Sequence, residues 1–261
     1  MKKQLFFFAL GLFCLSAAQA QITKAAVISV FGDKNLTDNP LDTKIYESVF
    51  KDSSFNISRT VNDFDKVVWQ MIVPAFDFPF MAKEDVLSSP AYQALDTLVV
   101  FKKDLNPDKE NKGTFWEFFN PIVPANGYVS ITAFGALGTD KKAIQQAFQV
   151  FPELEAVMIA YVDFNLYDAM TTMGVTTQKI NAYVNVKLFN SQGDRIFKLR
   201  ERATSRKGAV AVGGLMLDTG KIMELIDDAS AQLFADMEAK IPKSIAKMTK
   251  KINKNAGESD N

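Results

Sequence analysis

The sequence predicts an α/β or α+β fold: a mixed sheet of about five strands with helices packed on it, ending in a long C-terminal helix. Three observations support this prediction. Residues 154–205 predict three consecutive strands of an antiparallel meander, because their side chains alternate with period two. One face of these strands is expected to be buried, and the other, which carries Ile159 and Tyr161, is expected to meet water. The glycine-containing segment 190–194 has the length of a hairpin loop. Strand and helix patterns alternate elsewhere, as in a sheet covered by helices.

The N-terminal part predicts one buried strand followed by one helix. Residues 25–31 are small, β-branched or apolar without interruption, which indicates a strand buried on both faces. From Thr60 onward, apolar residues recur at three- and four-residue spacing, which predicts a helix. Pro74 should end or kink that helix, because proline lacks the backbone donor and clashes with the preceding turn.

Several short elements are predicted next. Ser89 and Pro90 form the N-cap and first-turn pair of a helix that extends to residue 95. Apolar runs predict short strands over residues 98–101 and 128–134. Another short strand is predicted by three alternating aromatic residues, which are Phe76, Phe78 and Phe80.

The second half adds two helices around the meander. Thr139 is predicted to cap the helix that leads into the meander. Residues 208–214 are small and glycine-rich, which predicts a loop. The last helix begins at Asp218 or Thr219 and carries one apolar stripe, and Pro242 should kink it or start a second helix.

The first residues predict export. Lys2 and Lys3 precede an apolar run that is too short to span a bilayer, and Ala-Gln-Ala follows at 18–20. We therefore interpret residues 1–20 as a signal peptide, and we expect a periplasmic or envelope-associated protein. Cys14 lies within the apolar run and should be removed with it; attachment of a lipid to this cysteine is the alternative.

The rest of the chain is long enough for one large domain. We assign this domain to residues 21–250, with a possible inserted lobe at 76–126. The polar residues 251–261 are expected to be a disordered tail.

Composition narrows the possible functions. The chain has no histidine, and its one cysteine is in the predicted signal peptide. Disulfides, thiolate nucleophiles, zinc sites of the Cys/His type and Ser-His-Asp triads are therefore not expected, and we predict no metal or cofactor. The formal charge is zero, and removal of the signal leaves about two net negative charges, which argues against a nucleic-acid partner. No later stretch predicts a transmembrane helix.

The order of elements resembles that of a known group. The segments LEAVMIAYVDF at 154–164 and INAYVNVKLFNSQGDRIFKLRERATS at 180–205 carry the likeness, together with the buried first strand and the long last helix. They resemble the periplasmic α/β domain of the curli-secretion lipoprotein and TolB amino-terminal type. Members of that group are envelope assembly and binding modules, so the resemblance implies a non-catalytic envelope role.

Two clusters are candidate binding sites. Lys198, Arg200 and Arg202 fall on one face of the third meander strand, where they are suited to lipid head groups or a cell-wall polymer. The simpler interpretation is a solvated edge strand whose charges discourage sheet pairing. The other cluster is aromatic and suits a partner protein, a glycan or a membrane surface, unless it fills a core beneath a loop. It consists of Phe115, Trp116, Phe118 and Phe119.

Other residue patterns are weaker candidates. Glu224, Asp227 and Asp228 share one helical face and suit acid–base work or a hard cation, although exposed helix faces are commonly charged. Met170 and Met173 in a predicted loop are two thioethers of the kind that bind copper(I), but two ligands without histidine make a poor site. The glycines at 208, 213 and 214 do not have a phosphate-binding spacing.

We therefore predict an exported envelope protein with a binding or scaffolding role rather than an enzymatic one. One alternative is a carboxylate-dependent enzyme such as a glycan hydrolase, which needs two carboxyl groups at roughly 5–10 Å across a cleft. The other is a homo-oligomeric envelope assembly component. The predicted partners are an envelope protein or a cell-wall or lipid surface.

Overall fold

The computed structural model describes residues 22–34, 36, 52–95, 122–132, 138–212 and 218–258. These residues form an α+β fold around a six-stranded mixed sheet, which confirms the predicted class. The strands are β1 Ala25–Asp33, β2 Ile122–Pro124, β3 Ala156–Thr172, β4 Val175–Phe189, β5 Arg195–Thr204 and β6 Ala209–Val212. The α-helices are α1 Ser58–Val67, α2 Lys83–Leu87, α3 Pro90–Gln93, α4 Gly138–Val150 and α5 Thr219–Glu258.

The strand order is β2-β1-β3-β4-β5, and β6 also pairs with β4. Strands β1 and β3 are parallel, and every other pairing is antiparallel. β5 and β6 lie one after the other along the same edge of β4. A bulge at Ser205 separates them: its N–H donates to the carbonyl of Ile180 at 2.8 Å, and its Oγ accepts the N–H of Ile180 at 3.2 Å.

The predicted meander is confirmed, but its first two strands are longer than the alternation indicated. β3 and β4 continue to a tight turn at Met173 and Gly174, both of which have positive φ. Met170, which we predicted to lie in a loop, is therefore on β3. The predicted loop at 208–214 contains β6, whose backbone pairs along the edge of β4. Residues 213–217 lie outside the described chain.

The expectation of one wet face is wrong for the first half of β3. Ile159 is 0% exposed and Tyr161 is 5% exposed, although both lie on the face predicted to meet water. Residues 129–131 cross that face: the Ser29 Oγ donates to the carbonyl of Val129 and accepts the N–H of Ile131, each at 3.2 Å. Both faces are therefore covered where β1 and β3 run parallel.

Helices α1 and α5 cover the opposite face of the sheet. A Cβ on Gly32 of β1 would lie 2.5 Å from the Cγ2 of Val61, so α1 packs directly on the strand backbone. The helix continues as a π-helical turn and a 3₁₀ turn and ends at Ala75, as Pro74 predicts. Phe64 of α1 stacks on Phe234 of α5 with ring centroids 5.9 Å apart.

Helix α5 follows the predicted apolar stripe. The stripe is buried at Ile222, Leu225, Ile226, Ala229, Leu233 and Met237. Pro242 lies inside the helix and no second helix begins there, because buried Ile241 and Ile245 continue the stripe past it. The helix extends to Glu258, through most of the segment predicted to be disordered. No helix in the described ranges has the length and apolar character needed to cross a membrane.

Two short strands predicted from local alternation are absent. Phe76 and Phe78 lie in a bend, and only Phe80 forms an isolated bridge, to Ala25. The three rings cluster at centroid separations of 5.1–5.7 Å, and the Phe76 ring packs edge-on against Phe197. These residues therefore contact one another through their rings and do not form the backbone hydrogen bonds of a β-ladder. Residues 128–132 are also not a strand, and residues 98–101 are not among those described.

Tyr92 joins α3 to the sheet. Its N–H donates to the Ser89 Oγ at 3.3 Å, which confirms the predicted N-cap. Its hydroxyl donates to the carbonyl of Ile28 at 2.7 Å and accepts the N–H of Val129 at 3.1 Å. Burial raises the pKa of Tyr92, so the hydroxyl remains a donor. Tyr92, within the predicted inserted lobe, therefore contacts β1, while residues 96–121 lie outside the described chain.

Candidate binding face

The three cations predicted on β5 form one exposed row, which we name the cationic row: Lys198, Arg200 and Arg202. Among the described strands β5 is the last in the sheet order, and its backbone pairs there with β4 alone. The side chains between these cations point to the other face, where Leu199 is buried. Alternation along an edge strand therefore places the three charges side by side.

The register with β4 shows what lies beside each cation. Lys198 pairs with Lys187, Arg200 with Asn185, and Arg202 with Tyr183. The Arg200 guanidinium carbon lies 4.4 Å from the centre of the Tyr183 ring, which holds it by a cation–π contact.

A fourth cation lies deeper on the same face. Lys187 is buried, and its ammonium lies 5.2 Å from the centre of the Tyr161 ring on β3. That ring stacks on Phe31 of β1 at 5.0 Å. Two cations of this face, Arg200 and Lys187, therefore lie over tyrosine rings, and the ring beneath Lys187 packs into the core.

No carboxylate of the described residues neutralises the cationic row. No ion pair joins Lys198, Arg200 or Arg202 to an acidic side chain among the residues described. Glu201 points to the opposite face and accepts the Ser244 hydroxyl of α5 at 3.4 Å. Asp163, two strands away, is within 3.5 Å of the Asn185 amide. The row is therefore a local positive region on a chain with zero formal charge.

The acidic helical face has a structural role in this fold. The Asp227 carboxylate accepts the Thr60 hydroxyl at 3.3 Å, and the Asp228 carboxylate accepts the N–H of Lys207 at 3.0 Å. These bonds connect α5 to α1 and to the bulge after β5. The described residues contain no group of three or more acidic, histidine or cysteine side chains arranged to hold a metal ion.

The pKa of Asp228 is below its ordinary value of 3.8. Burial by itself raises this pKa, but hydrogen bonds from the backbone N–H groups of Lys207 and Arg206 and from the Gln232 side chain, together with the charge of Lys207, lower it by more. The surroundings of Asp228 in the fold thus stabilise the charged form of its carboxylate.

The remaining candidates lie away from the cationic row along the sheet or outside the described residues. The aromatic cluster of Phe115, Trp116, Phe118 and Phe119 lies outside the described residues, and so do Gly213 and Gly214. Met173 occupies the hairpin turn, while Met170 is three residues before it.

Sequence reasoning missed the β4 half of the face. The signal that could have found it is alternation, which places Tyr183 and Lys187 on the same side of β4. It also missed the exposed apolar side chains at the far end of the hairpin, because the strand pattern weakens there.

Comparison with known proteins identifies no family. No family model matches the chain, and no curated protein matches it. A solved structure of a hypothetical protein from Chlamydia trachomatis aligns with 11% identity over 86% of this chain and 98% of its own, with a TM-score of 0.31. A likeness of that size supports no argument about function.

Proposed function

We propose that this protein is exported to the cell envelope, where it has a non-catalytic binding role and docks on an anionic surface through the cationic row. The observation that carries the proposal is the row itself: three exposed cations on one face of a rigid strand, without a carboxylate partner in the described chain. The predicted signal peptide supports the location.

The geometry of the row suits a surface with repeated negative charges. Alternate residues on a strand are about 6.6 Å apart, so the three cations span about 13 Å. Phosphate-bearing head groups and cell-wall polymers both present several anions over such a length. Each cation close to an anionic membrane contributes about 1 kcal/mol of binding free energy.

The test is the binding of the protein to vesicles of phosphatidylglycerol and phosphatidylcholine, and to soluble polyphosphate. Neutralising the row as Lys198→Gln, Arg200→Gln and Arg202→Gln removes about 3 kcal/mol, so we expect roughly 100-fold weaker binding to anionic probes. We expect binding to weaken with added salt, because the attraction between exposed charges is screened.

A matched control removes the same charge elsewhere, as Lys142→Gln, Lys221→Gln and Lys243→Gln, which are exposed positions on α4 and α5. We expect this variant to lose much less affinity. Equal losses in the two triple variants, or no binding by the unmodified protein, would reject the proposal and leave the row as a charged edge strand that resists pairing.

A further inference from the structure

The outer part of the β3–β4 hairpin projects beyond the body of the fold. We call residues 168–178 together with β6 the arm. Residues 168–175 are all exposed, whereas residues 156–162 of the same hairpin are all buried. At 3.3 Å per residue the exposed end of β3 is about 16 Å long.

The end of the arm is apolar. Of the five large apolar side chains that are exposed in the described chain, four belong to the arm: Met170 at 63%, Met173 at 100%, Val175 at 43% and Val210 at 59%. Isolated exposed apolar residues are ordinary, but four grouped around one tight turn form a patch of the kind that marks an interaction site.

Strand register places this patch on the same face of the sheet as the cationic row. Val210 pairs with Thr177, which pairs with Met170 across the hairpin. Thr177 lies on the side of β4 that carries Lys179, Tyr183 and Lys187, since alternate residues share a face. The face thus changes from cationic at β5 to apolar at the turn.

The opposite face of the arm is partly buried. Thr176, Gln178 and Ala209 are all buried on that side. Asp168 lies on the same side but is exposed, and its carboxylate accepts a hydrogen bond from the Gln178 amide at 2.9 Å. The arm therefore has one exposed apolar face, and its only acidic side chain lies on the other face.

From these placements we propose that the arm inserts its turn into the interface of an anionic lipid bilayer, while the cationic row holds the head groups. The inference rests on the proposed function and selects lipid as its ligand. A cell-wall polymer would use the cations but would give no reason for the exposed methionines and valines. Apolar residues at the acyl boundary, tyrosine near the head groups and cations facing anionic lipid form the usual pattern of interfacial binding. Tyr167 and Lys179 pair between the patch and the row.

The first test replaces apolar tip residues by neutral polar residues of similar size, Met173→Gln with Val210→Thr. We expect about ten-fold weaker binding to phosphatidylglycerol vesicles, from the apolar area no longer buried, and unchanged binding to polyphosphate. Ile196→Asn is the matched control. This substitution removes the fifth exposed apolar side chain, which lies near the start of β5, at the end farther from the arm. The variant should bind vesicles as the unmodified protein does.

The second test measures insertion directly. A polarity-sensitive fluorophore is attached at Met173→Cys in a Cys14→Ser background, which leaves one cysteine. We expect a blue-shifted emission with anionic vesicles and no shift with polyphosphate. A label at Ile196→Cys should shift with neither. Urea unfolding of each variant shows that it is folded.

The outcomes separate the two proposals. If the unmodified protein binds neither the vesicles nor polyphosphate, the proposed function is rejected and this inference with it. Binding to both, with an unshifted label at position 173 and full vesicle affinity in the tip variant, rejects only insertion and makes the row a polymer-binding site.

Discussion

At the scale of single residues, Asp228 connects the C-terminal helix to the bulge between β5 and β6. Its carboxylate accepts backbone N–H groups that have left the β-ladder, at Lys207 and Arg206. An acidic side chain on a helix face thereby satisfies donors that the sheet cannot satisfy. This bond fixes where β6 begins, and β6 carries part of the exposed face of the arm.

The lowered pKa of Asp228 predicts a pH dependence of folding. The folded pKa lies below 3.8, so the charged carboxylate stabilises the fold above the unfolded pKa, and this stabilisation is lost as the pH falls through the folded pKa. We expect the free energy of unfolding of Asp228→Asn to fall less steeply than that of the unmodified protein between about pH 5 and pH 2. Urea titrations at several pH values measure this slope.

Glu224→Gln is the control for that measurement. Glu224 is exposed on the same helix and forms no hydrogen bond or ion pair with any described residue. Its substitution should leave the slope nearly as it was. Identical slopes for Asp228→Asn and the unmodified protein would contradict the role given to Asp228.

At the scale of secondary-structure elements, the contact between α1 and β1 is set by one glycine. Gly32 has no Cβ, and the space that a Cβ would occupy is filled by Val61 and Ile57. The helix can therefore approach the strand backbone. The same element pair orients Phe64 toward Phe234, so this contact also fixes where α5 meets α1.

Gly32→Ala should destabilise the fold by about 1–3 kcal/mol, because the added methyl group would lie 2.5 Å from the Cγ2 of Val61 and 2.8 Å from the Cδ1 of Ile57. We expect Val61→Ala to recover part of this loss. The two changes together should then cost less than the sum of their separate costs in a double-mutant cycle measured by urea unfolding. Additive costs would show that the helix does not limit the space at Gly32.

At the scale of the whole molecule, α5 holds the layers together. It contacts β4 and β5 of the sheet as well as α1 and the turn that follows α1. Its buried stripe is therefore shared between the helical layer and the strands that carry the cationic row. Separate unfolding of either layer would expose that stripe, so we expect one cooperative transition.

Leu233→Ala tests this cooperativity. Leu233 is fully buried, so the substitution should cost about 2–5 kcal/mol. The loss should be equal by far-UV circular dichroism and by tryptophan fluorescence, which reports partly on Trp69 where it donates to the Tyr128 hydroxyl at 2.9 Å. Glu238→Ala, on the exposed side of α5, should change stability by less than about 0.5 kcal/mol. Different midpoints by the two probes would indicate layers that unfold separately.

Much of the fold could be predicted from the sequence, and the errors share a cause. Alternation identified β4, β5 and the row at Lys198 correctly, because one side of each strand was polar. The same signal placed Ile159 in water, although residues distant in sequence cover it. Phe76 and its neighbours alternate as a strand would, yet among the described residues only Phe80 forms a bridge to a strand, at Ala25 of β1.

The sequence by itself determined the layer type, the meander, the apolar stripe of α5 and the three cations on one face, since each depends on side-chain periodicity within a single element. Only the tertiary structure decided that β6 extends the edge of β4, that Lys187 and Tyr161 lie behind the cations, and that the apolar arm shares their face. These features depend on contacts between segments that are far apart in the chain, and periodicity within one segment does not predict such contacts.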